Sequence, residues 1–141
     1  MNFSSSSSVK RLIYTSYLSE YTDDEDIFEM IKKAQKYNIN HEISGFLISD
    51  SNELVQLIEG NEQNVDALFN KIKSDSRHHD VEIQFQDTAD NRIMPFFGMG
   101  LCLVNSNVNY QQDFYFTRYQ AKEFSSLFEG VAGEFFRQYL H

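Results

Sequence analysis

A chain of 141 residues that is 41% hydrophobic and 15% aromatic carries enough apolar mass for one packed domain and too much for a disordered chain. Its net charge of −9 argues against nucleic acid or an anionic membrane surface as a partner. The single cysteine, Cys102, excludes an internal disulfide and points to a reducing, cytoplasmic setting, and no stretch has the length and apolarity of a membrane span or a secretory signal.

Residues 1–9, with serine at every position from Ser4 to Ser8, read as a disordered leader outside the fold. Residues 10–16 read as a first strand, with Leu12, Tyr14 and Ser16 on one face and Ile13 and Thr15 on the other. A helix start follows. Thr22 and Glu25 have capping-box spacing, Asp23, Asp24 and Asp26 enrich the first turn with acid, and Lys32, Lys33 and Lys36 populate the far end. Ile27, Met30, Ile31 and Ala34 make the inward stripe, and four residues further on stands Asn38, either a C-cap or a polar member of the buried face.

Residues 43–49 read as a second strand, and Asp50-Ser51-Asn52 supplies turn chemistry into a third at residues 53–60, so the two form a hairpin. In the third strand Leu54, Gln56 and Ile58 share one face, while Val55 and Leu57 share the other. Both faces are apolar, as in a central strand covered on both sides. Gln56 is the polar exception. A buried amide without partners costs about 1–3 kcal/mol, so Gln56 bonds either a stray backbone group or a ligand.

A second helix spans residue 61 or 64 to residue 74, with Val65, Leu68, Phe69 and Ile72 inward and Lys71 spaced to form a solvated pair with Asp75. Val81, Ile83 and Phe85 alternate as a fourth strand. Residues 96–104 read as a fifth, with Phe97, Met99, Leu101 and Leu103 facing one way and Phe96, Gly98, Gly100 and Cys102 the other. Phe97 and Met99 are expected in the core.

The order βαββαβ plus one strand is an α+β, ferredoxin-like plan with both helices on one sheet face. The opposite face, with Ile13, Val55 and Leu57, needs cover. The aromatic segment from Tyr110 onward, with helices over 118–128 and 131–140, is expected to cover it, to dock a second subunit, or both. The chain therefore divides into the leader 1–9, a domain 10–104 and a helical cap 105–141.

Enzymatic signatures are lacking: there is no phosphate loop, no nucleophile elbow and no metal-ligand spacing. His78 and His79 are adjacent and would diverge on a helix, His41 and His141 have no obvious partners, and Cys102 reads as a small core residue. What remains is a polar set on inward faces: Tyr14, Asn38, Gln56, Lys71, Asp75 and Arg77. Amides and a phenol match the donors and acceptors of a planar heterocycle, and two parallel apolar helix faces make a slot for its rings.

The ordered motifs Arg11-Leu12-Ile13-Tyr14-Thr15-Ser16, Asn38 with Ile43-Ser44-Gly45, Gln56-Leu57-Ile58-Glu59-Gly60, Asp75-Ser76-Arg77-His78-His79 and the Met99 strand resemble the BLUF domains, blue-light sensors that use flavin adenine dinucleotide (FAD). The resemblance implies that Tyr14, Gln56 and Met99 are the photoactive residues and that Asn38 holds the carbonyl and imide edge of the flavin. It implies that Met30 or Ile31 and Ile72 flank the ring, with Lys71, Asp75 and Arg77 as further contacts to the ring edge, ribityl chain or phosphates. It implies photochemistry rather than catalysis: the tyrosine gives up an electron and a proton, and the glutamine ends rotated or tautomerised, with a new hydrogen bond to the flavin and a red-shifted absorption. The chain departs from the family in carrying Phe97 where many members have tryptophan, and in having no tryptophan at all.

On this reading the protein is a short, stand-alone photoreceptor that signals through a homo-oligomer contact or a separate downstream protein. The alternatives are a ferredoxin-like interaction module without chromophore and, last, a flavin-dependent redox enzyme, for which no nicotinamide-binding signature exists.

Overall fold

The computed structural model describes residues 8–20, 22–106 and 108–140. Five strands and four helices follow in chain order: β1 (Val9–Leu18), α1 (Asp24–Asn40), β2 (Ser44–Asp50), β3 (Glu53–Gly60), α2 (Glu62–Lys73), β4 (His78–Ala89), β5 (Gly98–Leu103), α3 (Arg118–Ser125) and α4 (Gly130–Arg137). The sheet order is β4-β1-β3-β2-β5, antiparallel except for the parallel pair β2–β5. This is the ferredoxin-like α+β arrangement with a fifth strand added beside β2. The β2–β3 hairpin closes between Asp50 and Glu53, with Ser51 in the left-handed region (φ 58°).

Each face of the sheet has its own core. Leu12, Tyr14, Leu47, Leu54, Ile58, Met99 and Leu101 pack beneath Ile27, Phe28 and Ile31 of α1 and Val65 and Phe69 of α2. On the other face Ile13, Phe46, Ile48, Val55, Leu57 and Cys102 pack against Ala121, Phe128, Phe136 and Leu140 of the carboxy-terminal segment. That segment thus covers the apolar face that two helices alone leave bare. Phe136, fully buried, meets Phe46 edge-on at 5.7 Å between ring centroids and lies 5.9 Å from Phe128. Phe136→Ala is expected to lower stability by about 3–5 kcal/mol in urea unfolding. A loss under about 1 kcal/mol would mean that α4 does not seal this face.

Several local expectations are corrected. The cap of α1 is Asp23, whose carboxylate accepts from Asp26 N at 2.9 Å, while Thr22 donates instead to Glu20 O. The last turn of α1 holds no lysine, because the helix continues past Asn38 to Asn40 and is capped by His41. Phe28 belongs to the buried stripe, whereas Met30 and Ala34 are half-buried. Strand β4 is much longer than residues 81–85, because its pairing with β1 extends from Val9↔Ala89 to Leu18↔His78 across two bulges. Val9 accordingly lies in β1; residues 1–7 of the expected leader lie outside the described residues.

β5 begins only at Gly98. Phe96 and Phe97 precede it at 40% and 43% exposure, and the Phe97 ring packs against the Arg92 guanidinium at 4.8 Å rather than in the core. The carboxy-terminal helices are shorter than expected, each eight residues. The pair Lys71–Asp75 does not form, since Lys71 lies over the Tyr37 ring at 4.3 Å and Asp75 is bound by Arg77. His78 stands on a strand and not a helix, engaged by Ser16 Oγ at 3.0 Å and Ile72 O at 2.8 Å; His141 lies outside the described residues.

Candidate functional site

β1 and β3 lie side by side at the centre of the sheet, and their register makes Tyr14 and Gln56 direct partners. Both side chains rise on the face covered by α1 and α2. The Tyr14 hydroxyl donates to Gln56 Oε1, and Gln56 Nε2 donates to Met99 Sδ at 3.4 Å. Tyr14 is 2% exposed, and burial, with a smaller contribution from the charge of Asp75, pushes its phenol far above the usual tyrosine range. The hydroxyl therefore stays protonated and serves as a donor at any physiological pH.

Met99, on β5, reaches Gln56, on β3, over the intervening strand β2. Its β2 partner is Gly45, where a Cβ would stand 2.1 Å from Leu57 O and 2.9 Å from Met99 Cε. Glycine is needed there by the close approach of backbone and thioether.

The amide of Gln56 has two lone pairs and two N–H donors. Tyr14 and Met99 use one of each, so one acceptor site and one donor remain. A thioether sulfur is a weak acceptor and never a donor, so it takes the N–H end of the amide while the phenol takes the carbonyl end. The site is thus a three-residue hydrogen-bond chain with Gln56 as its middle member.

Asn38 is buried inside α1, at 2% exposure. Its backbone carbonyl accepts from Ile43 N at 2.8 Å, while its side-chain Oδ1 has no hydrogen-bond partner among the described residues. An orphaned buried carbonyl costs about 1–3 kcal/mol, and a ligand N–H removes that cost. An imide N–H flanked by carbonyls, as a flavin ring presents, matches the acceptor and donors of this carboxamide. The residues fit the flavin.

Of the other site residues, Ile31 is buried and Ile72 half-buried in the same core, while Met30 and Arg77 line a cavity of about 450 Å³ together with Leu18 and Lys33. Arg77 grips Asp75 through Nε at 3.0 and 2.9 Å, and this hydrogen bond holds the Asp75 carboxyl down to about 2. Lys71 turns to Tyr37 and does not join Tyr14, Gln56 and Met99. The expected set therefore separates into a hydrogen-bonded centre, the helix residues, and peripheral charges, of which Asp75 and Arg77 pair with each other and Lys71 lies over Tyr37.

Two groups escape a residue-by-residue reading. Gln35 bonds both backbone polar groups of Met99, and its position three residues before Asn38, on the same helix face, is the signal that exposes it. Glu59, fully buried, accepts from Ser44 Oγ at 2.9 Å and from the backbone N–H of Ile93 and Met94. Burial pushes its carboxyl up, against the pull of those donors, and a charge in an otherwise apolar strand is the signal for it. Among the described residues no three His, Cys, Asp or Glu side chains gather around a metal site, and no helix is long and apolar enough to cross a membrane.

Known proteins match this chain in sequence and fold. The Blue light- and temperature-regulated antirepressor BluF of Escherichia coli is 30% identical over 90 residues, 64% of this chain and 22% of that protein. The Euglena gracilis photoactivated adenylate cyclase subunit beta-like protein 1224-5/9F is 42% identical over 67 residues, 44% of this chain and 8% of that protein. The chain thus spans about a fifth or less of the length of these relatives. Among solved structures, a bacterial light-regulated adenylyl cyclase superposes with a TM-score of 0.65 at 30% identity, over 72% of this chain and 29% of that one. The dark-state structure of the BLUF protein BlrB, at 22% identity, shares the fold with a TM-score of 0.64 over 82% of this chain and 76% of its own. Residues 9–100 match the family described as "Sensors of blue-light using FAD", and this chain belongs to the BLUF family of blue-light photoreceptors.

Proposed function

We propose that Tyr14, Gln56 and Met99 form the light-driven switch of this photoreceptor, and that Asn38, Met30, Ile31 and Ile72 hold its flavin ring. Arg77, with Asp75, and Lys71 are the contacts farther along the ligand. The observation that carries this reading is the chain Tyr14–Gln56–Met99 on the same sheet face as a buried Asn38 carbonyl in need of a donor.

Bound flavin supplies the absorption of blue light and an electron-accepting centre. The chain supplies the rest. Tyr14 releases an electron and its hydroxyl proton, with Gln56 Oε1 as the first atom in the path of that proton. When both return to Tyr14, the phenol is restored and the lasting change is the orientation or tautomer of the Gln56 amide. Each exchanged hydrogen bond is worth about 0.5–1.5 kcal/mol net, enough to shift a conformational population and too little to drive a large transition alone.

The bistable element it biases is β5. The outward backbone groups of Leu101 are bonded to the carboxy-terminal segment, Leu101 N donating to Phe114 O at 2.9 Å and Phe116 N to Leu101 O at 2.8 Å. A displacement at Met99 is two residues from that segment, which leads through Phe116 into Phe124 of α3 at 5.0 Å. Signalling to a second copy of the chain or to a separate downstream protein leaves by this route, and the setting is cytoplasmic, in keeping with the buried free thiol of Cys102.

One absorption spectrum before and after illumination tests the reading. The purified protein is expected to be yellow, with a flavin band that moves reversibly to longer wavelength under blue light. Colourless protein that fails to take up added FAD would favour the chromophore-free interaction module, and steady flavin reduction by a nicotinamide would favour the redox enzyme.

A further inference from the structure

Met99 is held by more than its neighbouring strand. β5 is an edge strand, paired with β2 on one side only, and its outward backbone groups need other partners. Those of Leu101 go to Phe114 and Phe116. Those of Met99 go to a single side chain: Gln35 Oε1 accepts from Met99 N at 2.9 Å, and Gln35 Nε2 donates to Met99 O at 2.5 Å. A carboxamide offers an acceptor and a donor together, so Gln35 replaces an adjacent strand at this residue.

The backbone is shaped to admit it. Gly98 has φ 105°, a region that favours glycine, and a Cβ there would stand 2.5 Å from Gln35 Oε1. Any side chain at residue 98 would push the amide off Met99. Gln35 also precedes Asn38 by three residues on α1, so the helix that carries the flavin-holding amide grips the backbone of the residue whose sulfur faces Gln56.

We infer that Gln35 is a positioning residue of the photoswitch. It acts through Met99, fixing where the thioether stands against Gln56 Nε2, and thereby sets how readily the Gln56 amide turns back after illumination. The inference rests on the assignment of Met99 to the photoactive group. A merely structural role, sealing a sheet edge, would affect unfolding and leave the recovery of the illuminated holoprotein alone.

Gln35→Met keeps the length of the side chain and removes both hydrogen bonds. The flavin-loaded variant is expected to retain its chromophore and its light-induced shift and to recover in the dark more than about twofold faster, since two hydrogen bonds no longer hold Met99 in place. Recovery slower than the parent's, or within about twofold of it, overturns the assignment, including the case in which only the unfolding midpoint falls. Gln35→Glu retains an acceptor for Met99 N and, ionised, lacks the donor to Met99 O. It is expected to recover faster as well, and parent-like recovery in it overturns the assignment should Gln35→Met not fold. A parent protein that binds flavin and shows no shift refutes the switch itself, and Gln35's role with it; a parent that shifts while both variants recover at its rate refutes Gln35 alone.

Discussion

Gln56→Leu is expected to give a protein that still binds flavin and no longer changes colour in blue light. Leucine fills a similar volume on the helix-covered face of β3, next to Leu54 and Ile58, so the slot keeps its apolar walls. Asn38 and the helix residues proposed to flank the ring are untouched. What disappears is the only group that touches both Tyr14 and Met99 in the hydrogen-bonded chain. The Tyr14 hydroxyl loses its acceptor, at a cost of about 1–3 kcal/mol if no other partner is found, and the amide proposed to record the light event is gone. The measurement is the difference spectrum of the flavin band with and without illumination. An undiminished red shift in Gln56→Leu would refute the role assigned to Gln56, whereas loss of flavin together with the shift would show that the amide serves binding first.

Glu59→Ala is expected to have a large effect on stability. The carboxylate is fully buried on the opposite face from Gln56, and it satisfies three donors at once: Ser44 Oγ and the backbone N–H groups of Ile93 and Met94. Arg92 closes the cluster, donating to Ser44 Oγ at 2.8 Å, to Glu59 O at 3.1 Å and to Glu42 O at 2.7 Å. Truncation strands those donors away from water and should lower unfolding free energy by about 3–5 kcal/mol. It should also release the loop before β5, which Glu59 ties to the central strand, so dark recovery should change along with stability.

The same group predicts a pH dependence. Burial raises the Glu59 carboxyl above its unfolded value, so the folded state binds this proton more tightly than the unfolded chain does. Its contribution to stability is complete below the ordinary glutamate range and declines as pH rises through the raised folded value. Glu59→Gln should flatten that part of the stability profile while losing less than Glu59→Ala. Equal unfolding midpoints for the parent and Glu59→Ala would rule out the cluster as an anchor.

The local errors of a sequence reading here share one origin. Alternation and helical spacing locate the strands and helices because each element must bury one face, but they carry no information about where pairing stops. β4 runs to twelve residues because β1 offers it a partner over that whole length, and β5 begins at Gly98 because the chain before it is drawn away by Glu59 and Arg92. Asn38 looks like a cap when α1 is considered alone. It becomes a buried, half-satisfied amide once the helix continues past it and packs on the sheet. Lys71 and Asp75 have the spacing of a pair, yet Tyr37 and Arg77 are better partners for each.

The sequence by itself determined the βαββαβ order, the two-sided burial of β3, the need for a carboxy-terminal cover and the inward placement of Tyr14 and Gln56. These follow from periodicity and from the cost of burying polar groups, both of which are local to the chain. Only the tertiary structure decided who bonds whom: that Tyr14 and Gln56 are register partners, that Met99 crosses Gly45 to reach the amide, and that Gln35 holds Met99 from the helix above. Hydrogen bonds between residues 42 and 64 positions apart depend on strand register and helix docking, which no local pattern encodes.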